Sequence, residues 1–411
     1  MKAIQLISSI PRYALTKMVG RLYQPAFWGP LSMLQLREVP EPALPGPEWV
    51  KIHTHYGGIC GSDLHTIQLQ NSPALSVFTS FPFTLGHESV GTVIEVGPQA
   101  GDLRPGDRVV AEGLLPCATR GIAEPCAPCR RGEFSRCRHL AEGTLAPGMS
   151  IGACRDTGGS WSPCFVAHRS QVFRVPPNVS DESAVLVDAF ASALHGVMLR
   201  FPADHETVLI LGAGIIGLCA IAALRAAGSR ARILVSARYP FQAEMAQKLG
   251  ASEVIRTEAG GLAAPLARIT GGRLYKPLLG RDVLVGGADV TYECIGSARS
   301  LNDSLSLTAS GGAVVLVGLA STPHGVDWTP IWLKELNVQG SFWCGTETFQ
   351  GRRVRTFQLA LDWLAEGRID LAPLLTHRFR LEKYAQAFHV ATHKGRYHTI
   401  KAAFAFQPFQ G

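Results

Sequence analysis

The chain has 411 residues, which predicts two to three domains at roughly 150 residues each. Hydrophobic residues make up 46% of the chain and charged residues only 17%, so the composition excludes a disordered or heavily charged polypeptide. The formal net charge of +7 is mildly basic for this length. It permits anionic ligands and does not by itself predict a nucleic-acid partner.

The N-terminus carries no recognisable secretory signal, because MKAIQLISSI lacks a basic stretch followed by a long apolar run and a cleavage site. The first 37 residues contain five basic residues and no acidic one, as a transit peptide would. However, MKAIQL is typical of the first strand of a domain. We therefore expect a cytoplasmic protein without a membrane partner. In that reducing compartment, clustered cysteines are more often metal ligands than disulfides.

From the start to about residue 180, the pattern predicts an antiparallel β domain with long loops. The segments LQLREV, EWVKIHTHYG, ESVGTVIEVG and DRVVAEG alternate polar and apolar residues and are separated by Pro and Gly. The next segment, DESAVLVDAFASALHGVMLR, predicts a helix with Ser180 as its N-cap. Residues 208–224 lack charge and nearly reach the length of a membrane span, but their glycines favour a strand, a turn and a buried helix.

Strands and helices then alternate, which predicts parallel βαβ units. The strands are TVLILG, ARILVSA, ADVTYECIG, GGAVVLVG and LNVQGSF. Two amphipathic helices follow, TFQLALDWLAEGR and EKYAQAFHVATHKG, and the tail HTIKAAFAF predicts a strand that returns to the first domain. We expect a β-rich catalytic domain at 1–189, a dinucleotide-binding domain at 190–345 and a returning segment at 346–411.

A glycine-rich turn joins TVLIL to the following helix. Gly212, Gly214 and Gly217 form a GxGxxG motif, and Ile215 and Ile216 open the helix. In this context the first glycine makes the tight turn, the second admits the pyrophosphate, and the third allows close packing of helix on strand. The motif predicts a dinucleotide site with the phosphates at the helix N-terminus.

The end of the next strand distinguishes the two nicotinamide cofactors. NAD enzymes usually carry an acidic residue there for the ribose 2′-hydroxyl, whereas this strand ends with Ser236, Ala237 and Arg238. A cation without a carboxylate suits a 2′-phosphate, which favours NADP(H) over NAD(H). The alternative is that Arg238 only covers the adenine face, since arginine also stacks on aromatic planes.

Two sets of residues have the side chains that zinc prefers. Cys60 and His87 are far apart along the chain, so their residue types alone are weak evidence for a zinc site. The second set, Cys126, Cys129 and Cys137, has Cys117 upstream and lies in a Pro- and Gly-rich segment. These four thiols match a closed structural zinc site. We interpret the arginines around them as offsetting thiolate charge rather than binding nucleic acid, since no aromatic residues interleave with them.

Taken in order, GICGSDLH, GHESVGTVIEVG, the cysteine lobe, VLVDAFASALHGV, GAGIIG, YECIG and GGAVVLVG resemble the zinc-dependent medium-chain dehydrogenase/reductase family of alcohol, polyol and threonine dehydrogenases. The resemblance covers nearly the whole chain. It implies an α/β fold, with a GroES-like β-rich catalytic domain and a Rossmann domain with a doubly wound parallel sheet. It also implies a homodimer or homotetramer.

The resemblance also implies roles for individual residues. Cys60 and His87 are then catalytic zinc ligands, and the third ligand comes from the helix that contains Asp188. Ser62 and His65 match the proton-relay positions, and Glu88 can approach the metal. Gly318, after AVVLV, is expected to let the backbone approach the nicotinamide.

The chain departs from the family pattern at two places. The family's structural lobe runs C-x2-C-x2-C-x7-C, but Ala123 stands at the first position, so Cys117 has to supply the fourth ligand from a longer loop. Residues 7–29 form an insertion that contains Tyr13, Tyr23, Phe27 and Trp28. We expect these aromatic residues to pack as a lid or against the core, and the alternative is a substrate or partner surface.

These observations predict a zinc-dependent oxidoreductase that transfers a hydride between NADP(H) and a small alcohol or carbonyl compound, such as a secondary alcohol, polyol or aldehyde. Catalytic and structural zinc ions are its expected metals. A zinc-free quinone or enone reductase on the same fold and a non-catalytic cofactor-binding protein are the alternatives. The sequence does not separate the possible alcohols, because the residues of the pocket lie on loops.

Overall fold

The structure is a computed structural model that describes residues 1–257 and 261–406. Contacts between residues divide the chain into two units. The first comprises Met1–Asp188 and Phe357–Gly411, and the second comprises Ala189–Thr356. The first unit is thus built from both ends of the chain, while the second is one continuous insertion.

The N-terminal part of the first unit is mainly β, as the alternating pattern predicts. Its strands are β1 (Lys2–Leu6), β2 (Leu34–Glu38), β3 (Trp49–Gly58), β4 (Phe83–Thr84), β5 (Ser89–Val96), β6 (Arg108–Ala111), β7 (Cys164–His168) and β8 (Val172–Arg174). Its helices are short: α1 (Ile10–Gly20), α2 (Gly61–Ile67), α3 (Ala127–Arg130) and α4 (Asp181–Ala184). Helix α5 (Val187–Leu199) follows and continues into the second unit.

The second unit is the predicted parallel α/β structure. Its six-stranded sheet is entirely parallel and has the order β11-β10-β9-β14-β15-β16. The strands of the unit are β9 (Thr207–Leu211), β10 (Arg232–Ala237), β11 (Glu253–Arg256), β12 (Arg273–Tyr275), β13 (Val283–Val285), β14 (Ala288–Glu293), β15 (Thr308–Leu316), β16 (Asn337–Gly340), β17 (Thr346–Phe349) and β18 (Arg352–Arg355). The helices are α6 (Ile215–Ala226), α7 (Pro240–Lys248), α8 (Ala263–Thr270), α9 (Ala298–Leu307) and α10 (Thr329–Leu333).

The chain then returns to the first unit through α11 (Thr356–Ala365), β19 (Leu375–Phe379), α12 (Tyr384–Thr392), α13 (Lys394–Tyr397) and β20 (Lys401–Ala405). Strand β20 pairs antiparallel with β3, with Ala403 opposite Gly58. This completes a sheet of order β19-β20-β3-β5-β6-β8, with β7 also paired to β3. Trp161, Phe388 and Phe404 pack together in the core beside this junction.

Three features differ from the sequence expectations. The insertion at 7–29 contains helix α1, and the helix predicted over 181–200 is divided into α4 and α5. Within the insertion, Phe27 and Trp28 are buried, whereas Tyr13 and Tyr23 are exposed. Antiparallel hairpins β12–β13 and β17–β18 were not expected, because their strands are only three or four residues long. Across the described residues, no helix is both long and apolar enough to cross a membrane.

Candidate functional site

The end of β3 and the start of β5 bring together three side chains with metal-ligating atoms. Cys60 caps α2 just after β3, and His87 and Glu88 directly precede β5. The two strands are antiparallel neighbours, and the N–H of Gly58 donates to the carbonyl oxygen of Glu88 at 3.0 Å. One ligand atom from each of Cys60, His87 and Glu88 lies within 4.8 Å of the other two. Sheet pairing thus joins residues that are far apart in sequence.

The carboxylate of Asp63 contacts both Cys60 and His87. Its Oδ2 accepts the backbone N–H of Cys60 at 2.9 Å, and its Oδ1 lies 3.4 Å from Nδ1 of His87. Burial opposes the charged form of His87, but Asp63 and Cys60 outweigh it and raise the imidazole pKa well above its ordinary value. A carboxylate that holds one ring nitrogen fixes the orientation of the other, as is common around protein metal sites.

Glu88 lies in a pair of buried opposite charges that the sequence analysis missed. Its Oε1 is 2.5 Å from Nζ of Lys401, and the two side chains are only 1% and 2% exposed. Oε2 is buried and has no hydrogen-bond partner in the described part of the chain. Burial opposes the charge on Lys401, but Glu88 and Cys60 outweigh it and raise the lysine pKa. An orphaned carboxylate oxygen beside a thiol and an imidazole fits a zinc ion.

A second lysine belongs to the same neighbourhood. Lys394 begins α13, and its pKa is lowered first by burial and then by the charge of Lys401, while Cys60 acts in the opposite direction. Lys401 had a signal in the sequence, since it interrupts the apolar pattern of the strand HTIKAAFAF. Lys394 had no such signal in the sequence, because it lies in a polar segment.

The predicted relay residues lie on α2. Ser62 and His65 are three positions apart, so they share a face of the helix. His65 is partly buried, and its Nδ1 is buried without a hydrogen-bond partner among the described residues. Burial lowers the pKa of His65. Its neutral form, which can accept a proton, is therefore favoured near neutral pH.

Asp188, the expected third ligand, is not part of the group formed by Cys60, His87 and Glu88. It is buried in the first turn of α5. The oxygen that accompanies the thiol and the imidazole comes from Glu88 instead. The assignment of Asp188 to the metal stays a prediction.

The four cysteines of the lobe converge, including Cys117. Their sulfur atoms all lie within 4.8 Å of one another. Sγ of Cys117 is 3.6 Å from that of Cys126 and 3.7 Å from that of Cys137. Four sulfurs placed about 2.3 Å from a zinc ion in a tetrahedron would be about 3.8 Å apart. The spacing therefore fits a closed zinc site, and the longer loop brings Cys117 to the place of the missing cysteine.

Backbone N–H groups point at these sulfurs. Cys126 donates to Cys117 at 3.4 Å, Arg138 to Cys126 at 3.5 Å, and His139 to Cys137 at 3.4 Å. Burial opposes the Cys126 thiolate, but the hydrogen bonds, with that from Arg138 foremost, lower the pKa of Cys126 to about 6. Burial raises the pKa of Cys129. All ten cysteines are free, so no disulfide competes with a metal here.

The glycine turn of the second unit has the shape that a dinucleotide requires. Gly212 has a φ of +98°, and a Cβ on Gly217 would lie 1.8 Å from the carbonyl oxygen of Gly212. A Cβ on Gly214 would meet no atom within 4 Å, which leaves space at the N-terminus of α6. Ile215 and Ile216 form the first turn of that helix. Its free N–H groups and dipole favour a phosphate.

Ser236 and Arg238 lie at the carboxyl end of β10, beside this turn. The hydroxyl of Ser236 accepts the N–H of Gly212 at 2.9 Å, so Ser236 fixes the turn. Arg238 is exposed, and its guanidinium lies 5.4 Å from the centroid of the Tyr239 ring. A second arginine, Arg256, was not identified from the sequence. It is the last residue of β11 and pairs with Ala237 at the end of β10, so it lies at the same edge of the sheet. Two cations therefore stand at neighbouring strand ends.

Gly318 has a packing role that the sequence did not reveal. A Cβ there would lie 2.5 Å from the nitrogen of Gly296 and 2.6 Å from Oε2 of Glu293. Glu293 is fully buried at the end of β14 and accepts the N–H groups of Ile295 and Gly296 at 2.9 Å. Close packing thus excludes a side chain at Gly318. The approach of the Gly318 backbone to the nicotinamide stays a prediction.

A groove of about 800 Å³ in the first unit is lined in part by Ala118, Gly121 and Pro125, in the loop between Cys117 and Cys126. Its charged walls are already paired, since Glu48 bonds Arg169 and Arg174 bonds Asp102 and Asp107. None of the predicted site residues lines it. Its size alone does not make it the active site.

Two family profiles match the chain. One, described as an alcohol dehydrogenase GroES-like domain, covers residues 46–177. The other, described as a zinc-binding dehydrogenase, covers residues 216–365. The first match contains Cys60, His87 and the cysteine lobe, and the second begins within the glycine motif.

Curated relatives extend over most of the chain. L-idonate 5-dehydrogenase of Vitis vinifera is 31% identical over 363 residues, which are 87% of this chain and 88% of the relative. L-threonine 3-dehydrogenase of Streptomyces avermitilis is 34% identical over 355 residues, 86% of this chain and 92% of the relative.

Solved structures show the same fold. A protein from Sinorhizobium meliloti, described as a zinc-binding dehydrogenase bound to NADP, is 26% identical with a TM-score of 0.73 and covers 98% of this chain and 99% of its own. Galactitol-1-phosphate dehydrogenase from Escherichia coli is 23% identical, with a TM-score of 0.72 and coverage of 99% and 100%.

Proposed function

The chain belongs to the zinc-dependent medium-chain dehydrogenase/reductase family and is an oxidoreductase, and from that premise we propose that it transfers a hydride between NADP(H) and a small alcohol or its carbonyl counterpart. The proposal rests chiefly on the group formed by Cys60, His87 and Glu88, whose ligand atoms lie within 4.8 Å of one another. A zinc-free quinone or enone reductase would have no use for this donor set. That alternative is therefore disfavoured.

The catalytic metal would be held by Cys60 and His87 together with a carboxylate. Glu88 and Asp188 are the two candidates for the carboxylate, and only Glu88 belongs to the observed group. A zinc ion held there would supply Lewis acidity for the oxygen of an alcohol or carbonyl compound, and NADP⁺ would supply the hydride acceptor. The four cysteines of the lobe would hold a second, structural zinc.

The residues of the chain supply orientation and a route for the proton. Asp63 lies against Nδ1 of His87 and so orients the imidazole ring. The Ser62 hydroxyl both donates and accepts hydrogen bonds, so it can take the alcohol proton and pass it on. His65 is the proposed acceptor, since burial lowers its pKa and keeps it neutral. Lys401 balances the charge of Glu88 when that carboxylate does not contact a metal.

The proposed preference for NADP(H) rests on Arg238 and on the absence of an acidic residue at the end of β10. Arg238 has no carboxylate partner among the residues described, so its charge is available to a 2′-phosphate. Arg256 stands at the end of the adjacent strand, opposite Ala237. NAD(H) remains the alternative cofactor.

A substrate screen tests the proposal. Purified enzyme is assayed with NADP⁺ and NAD⁺ against secondary alcohols, polyols, sugar acids and hydroxy amino acids, because the curated relatives are named for L-idonate and L-threonine. The reverse reaction is assayed with aldehydes, ketones, quinones and enones. We expect alcohol oxidation that Cys60→Ala abolishes and Cys219→Ala does not. Reduction of quinones or enones that survives Cys60→Ala would contradict the proposal.

A further inference from the structure

Helix α1 turns an apolar side outward. Ile10 and Met18 in α1 and Leu22 just after it are 83%, 65% and 94% exposed, whereas Thr16 and Gly20, on the opposite side of the helix, are buried. A surface helix of a globular protein ordinarily has the reverse arrangement, with its apolar stripe against the core. Packing within this chain therefore does not explain why these apolar side chains are exposed.

Contacts on the buried side of α1 fix the orientation of the helix. A Cβ on Gly20 would lie 2.4–2.8 Å from the ring of Phe27, so only glycine allows the helix to approach this closely. On the same segment, the guanidinium of Arg12 donates to the carbonyl oxygens of Pro30 and Ser32 at 2.8 and 3.0 Å. The helix cannot rotate to bury its apolar stripe without losing these contacts.

Basic residues flank the apolar stripe. Lys17 and Arg21, the C-cap of α1, are four positions apart, so they lie on one side of the helix. Together with Ala14, Met18 and Leu22 they line a shallow hollow of about 480 Å³. The first 37 residues contain no Asp or Glu to balance them. We call this surface, formed by Ile10, Ala14, Lys17, Met18, Arg21 and Leu22, the α1 face.

We propose that the α1 face docks on a membrane surface that contains anionic lipid. Lys17 and Arg21 contact the phosphodiester groups, and Met18 and Leu22 enter the boundary of the acyl chains. Helices with one apolar face and flanking cations bind membranes in this way, and binding strengthens with apolar area and negative lipid charge. The contact is peripheral. It departs from the absence of a membrane partner expected from the sequence.

A second copy of the chain fits this face less well. A twofold contact would place the same surface on both sides and bring Lys17 and Arg21 of one copy close to those of the other. The segment carries no acidic residue that could pair with them. A rigid protein partner would need a surface shaped to Met18 and Leu22, whereas a fluid lipid boundary accepts these side chains directly.

Vesicle sedimentation tests the proposal on the full chain. The probes are vesicles of phosphatidylcholine alone and of phosphatidylcholine mixed with phosphatidylglycerol. The test variant carries Met18→Glu and Leu22→Glu, and a second variant carries Lys17→Gln and Arg21→Gln. The matched control carries Leu278→Glu and Leu279→Glu, which change two exposed leucines elsewhere. Circular dichroism and NADP⁺ affinity confirm that each variant is folded.

We expect wild type and the control to bind the mixed vesicles and to leave them at high salt. Each α1 variant should bind them at least about tenfold more weakly. The proposal is overturned if wild type binds neither vesicle, if it binds both equally, or if the α1 variants bind as wild type does. It is also overturned if the apolar variant instead converts an oligomer of wild type into a smaller species in light-scattering measurements.

Discussion

Removing Lys401 should destabilise the first unit far more than the loss of one exposed lysine would. Lys401 and Glu88 are 2% and 1% exposed, so Lys401→Met leaves a buried carboxylate without its partner. Breaking a buried pair in this way costs about 3–5 kcal/mol. For a unit of this size, that loss lowers the melting temperature by roughly 6–20 °C. The double variant Glu88→Gln/Lys401→Met should recover much of the loss, because neither charge then remains.

The assay is thermal unfolding followed by calorimetry and circular dichroism at equal zinc content, since bound metal also contacts this region. Lys2→Met is the matched control, because the pair of Lys2 and Glu382 is about half exposed, with side chains 51% and 49% accessible. An exposed pair contributes about 0–1 kcal/mol. If Lys401→Met and Lys2→Met lowered the melting temperature equally, or if the double variant were no more stable than Lys401→Met, the buried charge pair would be the wrong explanation.

Three further predictions concern the metal, the cofactor and pH. Cys126→Ser should remove one zinc and lower the melting temperature, measured by metal analysis and calorimetry, whereas Cys154→Ser should keep the zinc. Arg238→Ala should weaken NADP⁺ about tenfold or more and NAD⁺ little, as a charged hydrogen bond is worth about 1.5–3 kcal/mol; equal losses in the two KM values would remove the 2′-phosphate assignment. Alcohol oxidation should decline only as pH falls below 6.5, the ordinary pKa of histidine, because burial lowers the pKa of His65 and the proton must enter a neutral imidazole. His65→Gln should abolish that acidic limb in a pH profile of kcat, and an unchanged profile would exclude His65 from the relay.

The elements with strong local patterns were predictable from the sequence. The glycine motif between a strand and a helix led directly to the turn at Gly212, and the alternation of apolar strands with helices led to the parallel strands β9, β10 and β14. These features depend on neighbours along the chain. The family pattern added the pairing of Cys60 with His87, which depends on sheet register and has no local signal.

The features that escaped prediction arise from tertiary contacts. Helix α1 was missed because its apolar residues face outward, so the usual periodicity pointed to no buried stripe. Lys401 interrupts an apolar strand in the sequence, but its partner Glu88 becomes evident only when β20 pairs with β3. Cys117, by contrast, was expected to complete the cysteine lobe, and its sulfur does lie within 4.8 Å of the other three, although spacing alone does not determine that loop path.

Counting the zinc ions bound per chain checks the assignment of two metal sites. Protein purified without chelators is measured by elemental analysis and native mass spectrometry, beside the variants Cys60→Ala and Cys129→Ala. Two groups of ligand atoms predict two zinc ions in wild type and one in each variant, with a different ion lost in each. Alcohol oxidation should disappear with the ion that depends on Cys60. Wild-type protein that binds only the ion removed by Cys129→Ala, and still oxidises alcohols, would contradict the account.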